Sequence, residues 1–341
     1  MMKAAKIYGP KDIRVENVDI PQLEAGTVKI KVEYAGICGS DMHEYLAGTY
    51  PIRTQPVLGH EFSGTVIEVA PDVHTIKIGD RVAVEPLIPC GKCDNCRRGF
   101  VNLCISRQGY GYTKSGGFAE YMVASEENVF LLPDHMSLEL GAIVEPTAVA
   151  VHAVRQSQLN VGDSTAIFGA GPIGLLLLQA VKAAGASRIY VIEVSEERRQ
   201  KALELGATTV INPMEVDAAQ LILDETNGGV DVAFDAAGVQ ATFHSGVRSV
   251  RPNGEFKIVS VWEKPVTFDP NTIVRTEAKI SGSYAYVRLF PEVIRLLASG
   301  VIDGNAVITS IIPLDDIVEK GFEVLTKDRK QCKILVKPNQ G

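Results

Sequence analysis

Four of the six cysteines fall within residues 90–104, as Cys90, Cys93, Cys96 and Cys104 in the spacing C-x2-C-x2-C-x7-C. Four thiolates gathered by such short loops suit a closed, tetrahedral zinc, which braces a loop and leaves no position for a substrate. Two disulfides are the poorer reading in a large chain without a recognisable secretion signal. Ferredoxin-type iron–sulfur runs also begin C-x2-C-x2-C but continue C-x3-C-P, whereas here the fourth cysteine comes eight residues on. The cluster is therefore expected to hold a structural zinc. Cys332 stands apart and reads as a buried thiol.

A second set of ligand types is scattered. Cys38 lies in Gly36-Ile37-Cys38-Gly39-Ser40-Asp41-Met42-His43, His60 in Gly59-His60-Glu61, and Glu145 in Glu145-Pro146. Sulfur, imidazole nitrogen and carboxylate oxygen from distant segments are what an open catalytic zinc accepts. Taken singly, each residue has an ordinary structural role: a small packed thiol, an interior histidine, a carboxylate at a helix start. Taken together they predict a catalytic metal on Cys38, His60 and one or both of Glu61 and Glu145.

The third feature is Gly169-Ala170-Gly171-Pro172-Ile173-Gly174, a G-x-G-x-x-G turn between an apolar strand and an apolar helix, with Glu193 19 residues after Gly174. The first glycine makes the turn, the second admits a pyrophosphate close to the backbone, and the third packs helix on strand. The helix N-terminus then meets the phosphates with partial positive charge. Glu193 stands where a carboxylate accepts the adenosine ribose hydroxyls and repels a 2′-phosphate, which favours NAD over NADP.

These residues need two kinds of scaffold. Residues 3–130 carry short β-favouring runs, Thr27–Tyr34, Gly64–Val69 and Arg81–Val84, between Gly, Pro and Asp punctuation, with weak helical patterning. That reads as an irregular β-barrel-like domain. Helical spacing appears from Glu139 to Ser157, and strand and helix then alternate. The expected strands are Ser164–Phe168, Arg188–Glu193, Thr208–Ile211, Val230–Phe234 and Glu255–Val259. The expected helices are Pro172–Ala184, Glu196–Leu205, Val216–Glu225 and Val239–Val250. Such alternation predicts an α/β fold with a doubly wound parallel sheet. Beyond it come a helix Phe290–Ser299, Val307–Ile312, a helix near Ile317–Thr326, and a last strand Cys332–Val336 that returns to the first domain.

Composition excludes other classes. The 341 residues are 46% hydrophobic and 22% charged with a formal net charge of -7, so no basic footprint for nucleic acid exists. The longest apolar run, near Leu175–Leu178, is broken by Gln179 and Lys182 and is too short for a bilayer, so no membrane partner is expected. The N-terminal MMKAAKIYGP has no apolar stretch of the secretory kind, and a cytoplasmic protein is the expectation.

Over essentially its whole length the sequence resembles the zinc-containing medium-chain dehydrogenase/reductase superfamily. The resemblance is carried by Gly36–Asp41, by Gly59-His60-Glu61-Phe62-Ser63-Gly64, by the four cysteines, by Glu145-Pro146 and by the nucleotide turn. Within it, His43-Glu44-Tyr45-Leu46, Val261-Trp262-Glu263-Lys264-Pro265-Val266 and Phe268-Asp269-Pro270-Asn271 are similar to the (R,R)-2,3-butanediol dehydrogenases. Sorbitol and threonine dehydrogenases share the zinc motifs. The resemblance implies a GroES-like catalytic domain from 1–153 and 286–341 around a Rossmann NAD-binding domain, 154–285. It implies two zinc ions per chain, one catalytic and one structural. It adds Ile173 and Val149 against the nicotinamide ring and Arg198 to the cofactor-binding set. The implied reaction is reversible oxidation of 2,3-butanediol to acetoin, with reduction of acetoin or diacetyl in reverse. In it Ser40 takes the alcohol proton and passes it by way of the nicotinamide ribose to His43. Alternatives are a sorbitol or other polyol dehydrogenase, an L-threonine 3-dehydrogenase, or a nucleotide-binding protein without catalysis. Relatives assemble as homodimers or homotetramers, and an edge-strand contact near Val307–Ile312 suits either.

Overall fold

The computed structural model describes residues 1–48 and 56–339. Two compact units emerge, one of Met1–Glu145, Val287–Gly300 and Ile308–Gly341, the other of Pro146–Tyr286 and Val301–Val307.

The first unit is built on a seven-stranded mixed sheet. Its path runs Ile308–Pro313, Lys333–Lys337, Thr27–Gly36, Glu61–Val69, Arg81–Val84 and Val129–Leu131, with Tyr121–Ser125 also pairing Thr27–Gly36. The last strand thus returns to the β-rich unit, paired in antiparallel register with Thr27–Gly36. Alternate β-branched residues of Thr27–Gly36, Val28, Ile30 and Val32, are wholly buried beside Phe62, Phe118 and Phe322. This unit also contains a helix that the sequence pattern hid, Gly39–Ala47. It is nine residues long, opens on Gly39 and is closed by the left-handed Gly48, and what starts it is a polar contact: Asp41 Oδ2 accepts the Cys38 backbone N–H at 3.0 Å.

The second unit is a six-stranded parallel sheet. Its spatial order is Thr209–Ile211, Arg188–Ile192, Ser164–Phe168, Val230–Asp235, Val250–Ile258, Lys279–Gly282. Numbered along the chain this is 3-2-1-4-5-6, the winding of dinucleotide-binding sheets, with the order reversing beside Ser164–Phe168. The helix Pro172–Ala183 that follows that strand buries Leu175 to Leu178 in succession, as a helix covered on several sides must. Capping sets the other boundaries. Asp217 accepts from the backbone of Ala219 and Gln220, so the helix expected from Val216 begins at Ala218 and ends at the left-handed Asn227. The segment Glu139–Ser157 divides into Leu138–Ala142 and Val144–Arg155. Pro146 falls in the first turn of the latter, where a missing N–H costs nothing. No helix among the described residues is long and apolar enough to cross a membrane.

Candidate active site and metal centres

The four sulfurs of Cys90, Cys93, Cys96 and Cys104 lie within 4.8 Å of one another. Cys93 and Cys104 Sγ stand 3.9 Å apart. A tetrahedron with metal–sulfur bonds of about 2.3 Å has edges of roughly 3.8 Å, whereas a disulfide spans about 2.05 Å. The cysteines are free. Backbone amides face the sulfurs, from Cys90 to Cys104 Sγ at 3.3 Å and from Cys93 to Cys90 Sγ at 3.4 Å. The amides of Cys96 and Ile105 pull the Cys93 thiol down to about 6, while burial and the neighbouring sulfurs push Cys96 up to about 12. Thiols that cannot all shed their protons beside one another become four thiolates around a divalent cation, so the cluster fits zinc.

The scattered set also converges. Cys38 precedes the helix Gly39–Ala47, His60 precedes the strand Glu61–Val69, and Glu61 opens it. Their ligand atoms lie within 4.8 Å of one another, with His60 and Glu61 each only 1% exposed. Glu145, buried at the start of Val144–Arg155, is outside this trio. Three residues that the motifs did not single out complete the surroundings. Asp41 is buried with Oδ1 3.5 Å from His60 Nδ1, a nitrogen without a hydrogen bond. Tyr112 stacks on the His60 ring, centroids 4.5 Å apart. Lys333 pairs with the Glu61 carboxylate at 2.5 Å.

Charge in this pocket is unbalanced. Burial opposes an imidazolium at His60, yet the Asp41 carboxylate and the Cys38 sulfur outweigh it and hold the His60 pKa well above its usual value. Burial and the same anions, with Glu145, keep Tyr112 a neutral phenol. Thiol, imidazole and carboxylate in a buried pocket that favours positive charge fit a divalent metal. Ser40 Oγ stands 3.3 Å from His60 Nε2 and 3.4 Å from the Tyr112 hydroxyl. His43 is three residues further along the same helix, hence on the same face, and half-buried.

In the other unit, the nucleotide turn takes the shape its glycines foretold. Gly169 has φ +100°, Gly171 precedes the helix, Pro172 is its first residue, and a Cβ on Gly174 would collide with the Gly169 carbonyl. Glu193 is buried, its oxygens accepting the Ala170 N–H at 2.8 Å and the Ser195 N–H at 2.9 Å. Arg198 Nη1 is 4.0 Å from the same carboxylate. Pro172, Ile173 and Val149 are half-buried, the first two on the turn's helix and the last on Val144–Arg155. A free helix N-terminus beside a fixed acid fits a dinucleotide.

The pattern of an alcohol dehydrogenase GroES-like domain matches residues 24–134, and that of a zinc-binding dehydrogenase matches residues 172–299. The chain is 46% identical to the (R,R)-butanediol dehydrogenase of Bacillus subtilis (strain 168), over 99% of its own length and 100% of that protein's. It belongs to the zinc-binding alcohol dehydrogenases. This dehydrogenase is also 36% identical to the sorbitol dehydrogenase of the same Bacillus, over 99% and 98% of the two chains. The crystal structure of 2R,3R-butanediol dehydrogenase from Bacillus subtilis matches it with a TM-score of 0.94 at 45% identity, covering 99% and 100%. The GroES-like and Rossmann architecture that the resemblance implied is thereby shown for this dehydrogenase.

Proposed function

We propose that this dehydrogenase reversibly oxidises 2,3-butanediol to acetoin with NAD. One zinc is held by Cys38, His60 and Glu61, with Glu145 close outside, and a second by Cys90, Cys93, Cys96 and Cys104. The observation that carries the reading is the buried trio of sulfur, imidazole and carboxylate within 4.8 Å. Similarity to butanediol dehydrogenases supports the substrate.

When bound, zinc supplies Lewis-acid polarisation of an alcohol oxygen and NAD supplies the hydride acceptor. The chain supplies the rest. Cys38, His60 and Glu61 are three protein donors, which leave a fourth position for substrate. Asp41 orients the His60 ring from its far nitrogen. Ser40 Oγ, poised between His60 and the Tyr112 hydroxyl, receives the alcohol proton. His43, one helical turn on, takes it toward solvent, as a ring with one donor and one acceptor nitrogen can. Gly169, Gly171 and Gly174 admit the pyrophosphate, Pro172 starts the helix whose amides meet it, and Glu193 with Arg198 holds the adenosine ribose. Ile173 and Val149 provide apolar surface for the nicotinamide. The strand Ile308–Pro313, an outer strand with Ile311 exposed, supports self-pairing in a homodimer or homotetramer.

The test is a kinetic comparison of butanediol stereoisomers, sorbitol and threonine with NAD and NADP, alongside metal analysis. The expected result is the highest kcat/KM for butanediol with NAD and two zinc ions per chain. A higher kcat/KM for sorbitol or threonine reassigns the substrate, and a single zinc removes one of the two centres.

A further inference from the structure

Lys333 has no part in the chemistry above, yet its ammonium is buried in the metal pocket. Its side chain is 2% exposed and that of Glu61 1%. Nζ donates to Glu61 Oε1 at 2.7 Å, to Oε2 at 2.5 Å and to the Ile37 carbonyl at 2.9 Å, which engages all three ammonium hydrogens.

Three strands build this arrangement. Lys333–Lys337 delivers the lysine, Glu61 opens its own strand, and Gly36 lies between them, in register with both Glu61 and Leu335. A Cβ on Gly36 would strike the Glu61 carboxylate and stand 3.3 Å from Lys333 Cδ. The ion pair occupies the space that glycine leaves.

Stability does not explain the pair. Two charges taken out of water lose more hydration than their attraction restores in many proteins, and an apolar side chain would serve the strand as well. The electrostatic consequence is more telling. Cys38, Glu61, Glu145 and Asp41 surround one pocket, and every anionic donor that binds a divalent ion makes it a weaker acceptor for a neutral oxygen. A cation hydrogen-bonded to both oxygens of one donor reverses part of that effect.

We infer that Lys333 is a positioning residue that holds Glu61 over Gly36 and offsets its charge, so that the catalytic metal is held less tightly and stays receptive to an alcohol oxygen. The inference rests on Glu61 being a metal ligand.

The experiment exchanges cobalt into the catalytic site of the full chain and compares wild type with Lys333→Gln, Lys333→Met and Glu61→Gln. The readouts are the visible absorption of the bound cobalt and its rate of loss to a chelator, both without turnover. Lys333→Gln, which keeps a donor to Glu61 but no charge, leaves the carboxylate uncompensated and is expected to lose cobalt about tenfold more slowly, with a shifted absorption band and a lower kcat/KM. A loosened fold would instead release metal faster, so retention with lost turnover separates the two causes. Lys333→Met should do the same. If it fails to fold, the glutamine variant carries the test alone. A native spectrum and loss rate in Lys333→Gln, or faster loss, overturns the inference. A native cobalt spectrum in Glu61→Gln sinks the ligand assignment itself, whereas an altered one beside a native Lys333→Gln sinks only the role of Lys333.

Discussion

The four-cysteine lobe and the Cys38 pocket both gather side chains that could hold a metal, and they do so from opposite kinds of chain. The lobe closes on residues 90–104, with backbone amides from within the loop aimed at the sulfurs. Its geometry is local and needs little from the rest of the fold. The Cys38 pocket draws on a helix start, a strand start and a second layer from Asp41, Tyr112 and Lys333, spread from residue 38 to residue 333. Each of its donors answers to a neighbour that is not itself a ligand. A local site of four like donors leaves no position for substrate, while an assembled site of unlike donors can keep one open and tune it.

The largest expected effect separates the two directly. Cys38→Ala or His60→Ala should lower kcat/KM by roughly 10³-fold or more, since several kcal/mol of transition-state stabilisation leave with the metal. NAD binding and the second metal equivalent should persist. Near-native turnover in either variant would remove the catalytic assignment, measured by steady-state kinetics with metal content per chain. Asp41→Asn comes next. It should weaken the catalytic metal about 10–100-fold with the cysteine site still filled, because Asp41 steadies both the His60 ring and the helix that follows Cys38. Equal loss of both metals on dialysis against a chelator would show that Asp41 acts on the fold at large.

Cys93→Ser reverses the pattern. The melting temperature should fall by roughly 3–6 °C, the shift that a few kcal/mol makes in a chain of this size, with kcat changed by no more than about threefold. If activity vanished while calorimetry showed an undisturbed fold, the lobe would belong to the chemistry and the contrast would fail.

The same contrast explains what the sequence revealed. Cys90, Cys93, Cys96 and Cys104 announce themselves because their spacing is their geometry, and so do Gly169, Gly171 and Gly174, whose turn is one local event. Cys38, His60 and Glu61 were legible as ligand types but not as a closed set. That Glu61 stands with Cys38 and His60, and Glu145 outside, depends on register between strands far apart in sequence. Asp41 left a faint sign, an acid three residues after Cys38 at a helix start. Lys333 left another, a charge beginning the apolar run Ile334-Leu335-Val336. Tyr112 left none, because ring stacking on His60 exists only after folding. The helix Gly39–Ala47 escaped because it is short and started by side-chain bonding, whereas pattern reading looks for an apolar stripe.

The smallest effect sits at the root of the lobe, where Glu85 links Arg81–Val84 to Leu87–Ile88. Burial drives its pKa up to about 7, with the Arg288 guanidinium pulling the other way, against an ordinary value of 4.5. Between those two pH values the folded chain keeps a proton that the unfolded chain has released, so folding stability declines as pH rises through the window and levels off above it. The difference amounts to about 3 kcal/mol at most. Glu85→Gln keeps the shape and removes the titration. Relative to wild type it should gain thermal stability at pH 8 and little at pH 5, with kcat unaltered at either, because Glu85 is not among the donors of the Cys38 pocket. Paired melts at the two pH values check this, since titrations common to both proteins cancel in the difference. A gain equal at both would mean that the buried charge is not what distinguishes the variants. A fall in kcat without any change in melting would tie the root of the lobe to the catalytic pocket and erase the separation on which the contrast rests.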